Sequence, residues 1–194
     1  MKRTALPLIV PCLVALAGLG GCAKDVVRYG DARGVETVTN QFGSTDLQMI
    51  AESMTRSLLN HNLLNKAESP VFTVQEVKNK TSEYVDTRAI TDTIRSELLK
   101  SGKVRFAVDA GAMEQQVEEL NRQQGELYER KEAVRTGRMV GANYRLEGNI
   151  VSIVKQGEDI KDVYYKFNLQ LWNIENGLLE WTDEKEIRKT TTKG

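Results

Sequence analysis

The sequence predicts an α/β (α+β) fold, a mixed β-sheet flanked by helices. Three features carry this reading. Apolar residues recur at helical spacing through the first half of the chain, the period changes from about 3.6 to about 2 near Tyr144, and Asn176-Gly177 joins two alternating runs as a hairpin turn. The resulting order is helix, strand, helix, strand, one or two helices, then three strands, with helices on one or both faces of the sheet.

The first periodic segment begins at Ser44-Thr45-Asp46, with Thr45 and Gln48 spaced as a capping box. Leu47, Ile50, Ala51, Met54 and Leu58 follow at helical spacing to about Asn62. Val71 to Lys78, after Pro70, is rich in β-formers and reads as a strand, with Asn79-Lys80-Thr81-Ser82 as its loop. A second helix from about Asp86 aligns Ile90, Ile94 and Leu98, and Gly102 supplies the left-handed residue that ends it. Val104, Phe106 and Val108 alternate as a short strand, and Asp109 caps the helix carrying Met113, Val117 and Leu120. Gly125 to Val140 reads as a break followed by another helix ending at Gly141.

From Tyr144, Leu146 and Ile150 onward the pattern is that of strands. Val163, Tyr165, Phe167, Leu169 and Leu171 form the clearest alternation in the chain. Lys155 to Asp162 is the turn before it, and Leu178 to Ile187 is the third strand of the meander.

Residues 1–21 have the order of an export signal: Lys2 and Arg3, an apolar stretch from Ala5 to Leu19, then Gly20 and Gly21 before Cys22. A thiol at that position suits alkylation by a diacylglyceryl group, and small residues before it admit a peptidase. Pro7, Pro11 and the glycines argue against the same stretch remaining as a membrane-spanning helix. The domains expected are therefore a signal peptide over 1–21, a lipidated Cys22 with a flexible tether over 22–43, and one domain over 44–194. Cys12 lies in the removed segment and Cys22 carries lipid, so no thiol is left for a disulfide, a metal site or a nucleophile. Without Lys2 and Arg3 the charge is about −2, which gives no attraction to nucleic acid or anionic lipid. Attachment then rests on the acyl chains, at roughly 0.8 kcal/mol per buried methylene.

No catalytic constellation is legible. The mature chain has one histidine, His61, at the end of the first helix, where a cation suits the helix dipole. Glu118-Glu119 and Asp183-Glu184 are adjacent residues whose side chains diverge, unlike a pair of carboxylates facing across a cleft. Gly137 to Gly141 lacks the Gly-Lys-Ser/Thr ending of a phosphate loop. No enzyme, cofactor, metal or small-molecule substrate is expected.

Five stretches in order carry a resemblance. They are Val74-Gln75-Glu76-Val77-Lys78-Asn79-Lys80-Thr81; the helix with Thr93-Ile94-Arg95 and Leu98; Gly102-Lys103; Val140-Gly141-Ala142-Asn143-Tyr144; and Gln170-Leu171 leading to Asn176-Gly177. Over about Asp46 to Ile187 the chain resembles the penicillin-binding protein activator LpoB family. The resemblance implies a fold similar to the N-terminal domain of TolB. It also implies an outer-membrane lipoprotein, its domain in the periplasm, that binds a class A (bifunctional) penicillin-binding protein and stimulates peptidoglycan synthesis without catalysing it. The alternative is a structural lipoprotein of an envelope secretion or assembly complex. The family's best-known members have a long proline-rich linker, absent here. Ala23 after Cys22 resembles lipoproteins sorted to the outer membrane. Exposed loops on a rigid scaffold are the favoured partner sites, and the loop with Asn79, Lys80 and Thr81, with Tyr84 beside it, is the candidate.

Overall fold

The computed structural model describes residues 27–36, 39–65 and 68–193. The expected signal peptide, Cys22 and the first tether residues lie outside the described residues. By contacts the chain divides into Met1–Ala32 and Arg33–Gly194. Of the first unit, Val27 to Ala32 are described, and they carry exposed side chains such as Val27 and Tyr29.

The second unit contains helices α1 (Ser44–Leu59), α2 (Thr87–Lys100) and α3 (Ala110–Gln123). Its strands are β1 (Val71–Val74), β2 (Lys78–Lys80), β3 (Arg105–Phe106), β4 (Tyr144–Gln156), β5 (Ile160–Asn173) and β6 (Leu179–Thr192). They form one six-stranded mixed sheet in the order β3-β1-β4-β5-β6, with β2 also on β4. β1 and β2 run parallel to β4, and β4, β5 and β6 form an antiparallel meander.

The alternation in β5 decides which face is inside: Val163, Tyr165, Phe167, Leu169 and Leu171 are buried and face the helices. Ile50, Met54 and Leu58 of α1 and Ile90, Ile94 and Leu98 of α2 complete this core with Phe72, Leu146 and Ile150. Trp181 of β6 donates from Nε1 to Ser57 Oγ on α1 at 3.3 Å. The opposite face of the meander is polar and paired across its strands: Lys166 with Glu184 at 2.7 Å, Arg188 with Asp162 at 3.4 Å.

Several expectations are corrected. α1 begins two residues earlier than the proposed Thr45–Gln48 box requires. Its cap is Gly43, whose N–H donates to Asp46 Oδ2 at 2.8 Å, while Thr45 Oγ1 accepts from Glu36 N at 3.0 Å. The strand expected over Val71 to Lys78 is broken at Gln75–Val77. The offset to β4 changes by one residue there, from Val74 opposite Leu146 to Lys78 opposite Asn149. This is a bulge, and its cause is in the sequence: unbroken alternation from Phe72 and Val74 would turn Glu76 inward, whereas the extra residue buries Val77 instead. Gly148 lies beside it, so close to β5 that a Cβ would fall 2.1 Å from the Asn168 carbonyl oxygen.

The second helix expected within 125–140 does not form. The segment is a series of turns, with Gly137 at φ +73° and Leu127, Val134, Met139 and Val140 exposed. A helix that short needs an apolar face to bury, and none is supplied here. α3 itself buries no residue, so Met113 and Val117 remain exposed. It is held by its Asp109 cap, which accepts from Ala112 N at 3.0 Å, and by pairs such as Glu119–Gln123. The strand expected at Val104–Val108 shortens to β3, while β4 and β5 lengthen until only a tight turn at Gly157 separates them.

Candidate partner-binding surfaces

Asn79 and Lys80 do not lie in a loop. They end β2, opposite Ile150 and Val151 of β4. The chain then turns through Thr81–Glu83, and the side chains expected to meet a partner build that turn. Asn79 Oδ1 accepts from Thr81 N at 2.9 Å and Asn79 Nδ2 donates to Glu83 O at 2.9 Å. Thr81 Oγ1 lies 2.8 Å from both Asn79 Oδ1 and Glu83 O. Asn79 and Thr81 therefore fix backbone. Lys80 and Tyr84 project instead, Tyr84 at 88% exposure. Val85 then plugs the core, and Asp86 caps α2 by accepting from Ala89 N at 3.1 Å.

Glu83, which sequence reasoning passed over, is the centre of this end of the domain. Its Oε2 accepts from Phe42 N at 3.3 Å and its Oε1 accepts from the Tyr165 hydroxyl. The Tyr165 hydroxyl also lies 3.0 Å from Asn40 O, and its ring packs edge-on against Phe42 with centroids 5.8 Å apart. Burial, then the hydrogen bond to the Glu83 carboxylate, hold the Tyr165 phenol well above its ordinary pKa. Next to it Lys189 Nζ donates to Gln41 O at 2.7 Å and pairs with Asp46, whose side chain is 3% exposed. Asn40 to Phe42, read from sequence as tether, are thus clamped between β5, β6, α1 and the turn after β2. No spacing rule marks this clamp, because its members come from four separate segments.

The other end of the sheet, where β1, β3 and β4 begin and β5 finishes, holds a cleft of about 390 Å³. Asn143, Asn173, Ile174 and Glu175 line one side and Glu68, Pro70 and Arg105 the other. Its floor is fixed: Asn143 N donates to Val71 O at 2.7 Å, Ile174 N to Asn143 O at 2.9 Å, and Val71 N to Asn143 Oδ1 at 3.2 Å.

His61 Nδ1 accepts from Leu63 N at 3.4 Å, closing the turn after α1. Among the described residues no cluster of His, Cys, Asp and Glu is placed to hold a metal ion, and no helix is long and apolar enough to cross a membrane.

No curated protein sequence matches the chain. Among solved structures it is similar to the LpoB C-terminal domain from Salmonella enterica, at 18% identity and TM-score 0.44, covering 73% of this chain and 98% of that one. The corresponding domain from Escherichia coli gives 18% identity and TM-score 0.43 with the same coverage. Lipoprotein GNA1162 from Neisseria meningitidis gives 18% identity and TM-score 0.38, over 62% of this chain and 83% of that one. The family model for the peptidoglycan-synthase activator LpoB matches residues 46–187, from the buried carboxylate of α1 to the last buried residue of β6, and the chain belongs to that family.

Proposed function

We propose that this chain is an outer-membrane lipoprotein, anchored through acylated Cys22, whose periplasmic domain binds a class A penicillin-binding protein and raises its rate of peptidoglycan synthesis. The observation that carries the reading is the family match over 46–187, a family of synthase activators and not of enzymes. The order Lys2-Arg3, apolar stretch, Gly20-Gly21-Cys22 supports export and lipidation, and Ala23 supports sorting to the outer membrane. We divide the chain into a signal peptide over 1–21, a tether from Cys22, and the domain expected over 44–194, to which Glu36 and Asn40 to Phe42 are joined by hydrogen bonds. No feature of the fold favours the alternative, a structural part of a secretion or assembly complex.

The test is direct. The full lipidated chain in detergent is mixed with class A synthases of its source bacterium, and both complex formation and the rate of glycan polymerisation on lipid-linked substrate are measured. Binding with stimulation supports the reading. A chain that neither binds nor stimulates any of them refutes it.

A further inference from the structure

Three ionised side chains of both signs, Arg105, Glu68 and Glu175, line the cleft of about 390 Å³ where β1, β3 and β4 begin. Among the described residues none of the three has an ion pair or a side-chain hydrogen bond, unlike Arg145, which pairs with Glu147. Each nevertheless stands on backbone that is held in place. Arg105 N donates to Pro70 O at 3.0 Å, and Ser69, beside Glu68, donates from Oγ to Gly102 O at 3.4 Å. Glu175 N donates to Asn173 Oδ1 at 3.0 Å. The Asn143 carboxamide is oriented by its Oδ1, which accepts from Val71 N at 3.2 Å, and this leaves Nδ2 as a neutral donor in the lining. Pro70 and Ile174 supply apolar wall.

We infer that this cleft binds a short zwitterionic peptide, with Arg105 receiving its carboxylate and Glu68 and Glu175 receiving its ammonium. The inference does not rest on the proposed function. The lining excludes simpler ligands. A phosphate or other anion would answer Arg105 and be repelled by two carboxylates, and a cation would answer the carboxylates and be repelled by Arg105. An apolar ligand would take all three charges out of water with a partner for none. A molecule with one charge of each sign meets every one of them. The guanidinium takes a carboxylate through two parallel N–H bonds, and an ammonium has three donors to share between two carboxylates. The volume lies near the lower end of the roughly 300–1,000 Å³ of small-molecule sites, which suits a peptide of two or three small residues. Pro70 and Ile174 then meet its side chains, and Asn143 Nδ2 is available to a peptide carbonyl.

The experiment titrates alanyl-alanine into the full chain in detergent and follows the backbone amide resonances of the isotope-labelled protein. Saturable shifts confined to the cleft, at Ala142, Asn143 and Ile174, are expected, with a Kd of about a millimolar for so small a ligand. Alanyl-alaninamide, which lacks the carboxylate, and N-acetyl-alanyl-alanine, which lacks the ammonium, are each expected to bind about tenfold more weakly. Arg105→Gln should abolish the difference between acid and amide, and Glu68→Gln with Glu175→Gln the difference between free and acetylated amine. A merely structural role would move neither comparison. The blocked peptides make the same test on the parent, so it survives a variant that fails to fold. Absence of a saturable shift up to about 20 mM, or shifts only away from the cleft, overturns the inference. Blocked peptides that bind as well as the free one overturn it too. Acetate or methylammonium alone, bound as tightly as the dipeptide, overturns it by reducing the cleft to adventitious ion binding. Each of these results leaves the proposed function standing.

Discussion

Replacing Lys189 with Met removes the ammonium that closes the clamp and keeps most of the side chain's volume. Lys189 is 13% exposed and its partner Asp46 only 3%, so the variant leaves a carboxylate in the interior with one identified donor, the Gly43 N–H at 2.8 Å. It also strips Gln41 O of its donor. Breaking a buried pair from one side costs about 3–5 kcal/mol, because the desolvation already incurred is no longer offset. At roughly 2–4 °C per kcal/mol for a domain of this size, the melting midpoint should fall by about 10 °C. Asp46→Asn should cost less, about 2 kcal/mol, since the amide oxygen still accepts from Gly43 and the ammonium at Lys189 is better placed to recover water. The double variant Asp46→Asn with Lys189→Met should then be more stable than the sum of the singles requires, with a coupling of about 1–3 kcal/mol. Urea unfolding of the full chain, followed by the fluorescence of Trp172 and Trp181, measures all three. A Lys189→Met cost below about 1 kcal/mol, with additive singles, would show that the pair is solvated and that the clamp is not a structural element.

Gly148→Ala forces a methyl to within 2.1 Å of the Asn168 carbonyl oxygen, a contact that only a shift of β4 or β5 relieves, and should cost about 3 kcal/mol or more in the same unfolding assay. Tyr165, whose pKa is raised by burial and by Glu83, keeps its proton at a pH where the unfolded chain loses it. Stability should therefore decline as pH rises above about 10, and Tyr165→Phe should flatten that decline while lowering stability at neutral pH; ultraviolet titration of the phenols checks the assignment. Cys22→Ala should abolish incorporation of a labelled fatty acid and release the chain from the membrane fraction; persistent label would place the lipid elsewhere. Deleting half of the segment between Ala23 and Val35 should abolish activity in cells without altering binding in vitro, while a flexible insert there should preserve or raise it; full activity of the shortened form would place the partner at the anchoring membrane.

The parts of the fold legible in the sequence are those in which each residue has one solvated side and one buried side. β5 is the clearest case, because Val163 to Leu171 alternate without exception and the structure buries every second residue. The break between β1 and β2 was written in the same alphabet, in the misplaced Val77, but it takes the neighbouring strand to show that a bulge resolves the conflict. Helical periodicity failed where it implied a covering layer. Met113 and Val117 have the spacing of a buried stripe, yet α3 buries none of its residues. The candidate loop was half legible: Asn79 and Thr81 are turn-forming residues and form the turn, but the carboxylate joining that turn to the tether, Glu83, has no local signature. Phe42 was equally silent, as a lone aromatic in a polar stretch reads as surface until Tyr165 is found beside it.

The clamp changes how the chain's reach should be reckoned. With Glu36 bonded to Thr45, and Asn40 to Phe42 held by Tyr165, Lys189 and Glu83, the tether of the proposed lipoprotein would be reckoned at about a dozen residues, between Ala23 and Val35, instead of about twenty. Fully extended, that length spans at most roughly 45 Å, and as a flexible coil it averages about 20 Å. If Cys22 carries the lipid, a lead of that length limits how far the domain can search from its membrane. The contacts that decide this are modest ones, a carboxylate, a phenol and an ammonium closing on three backbone positions ahead of α1.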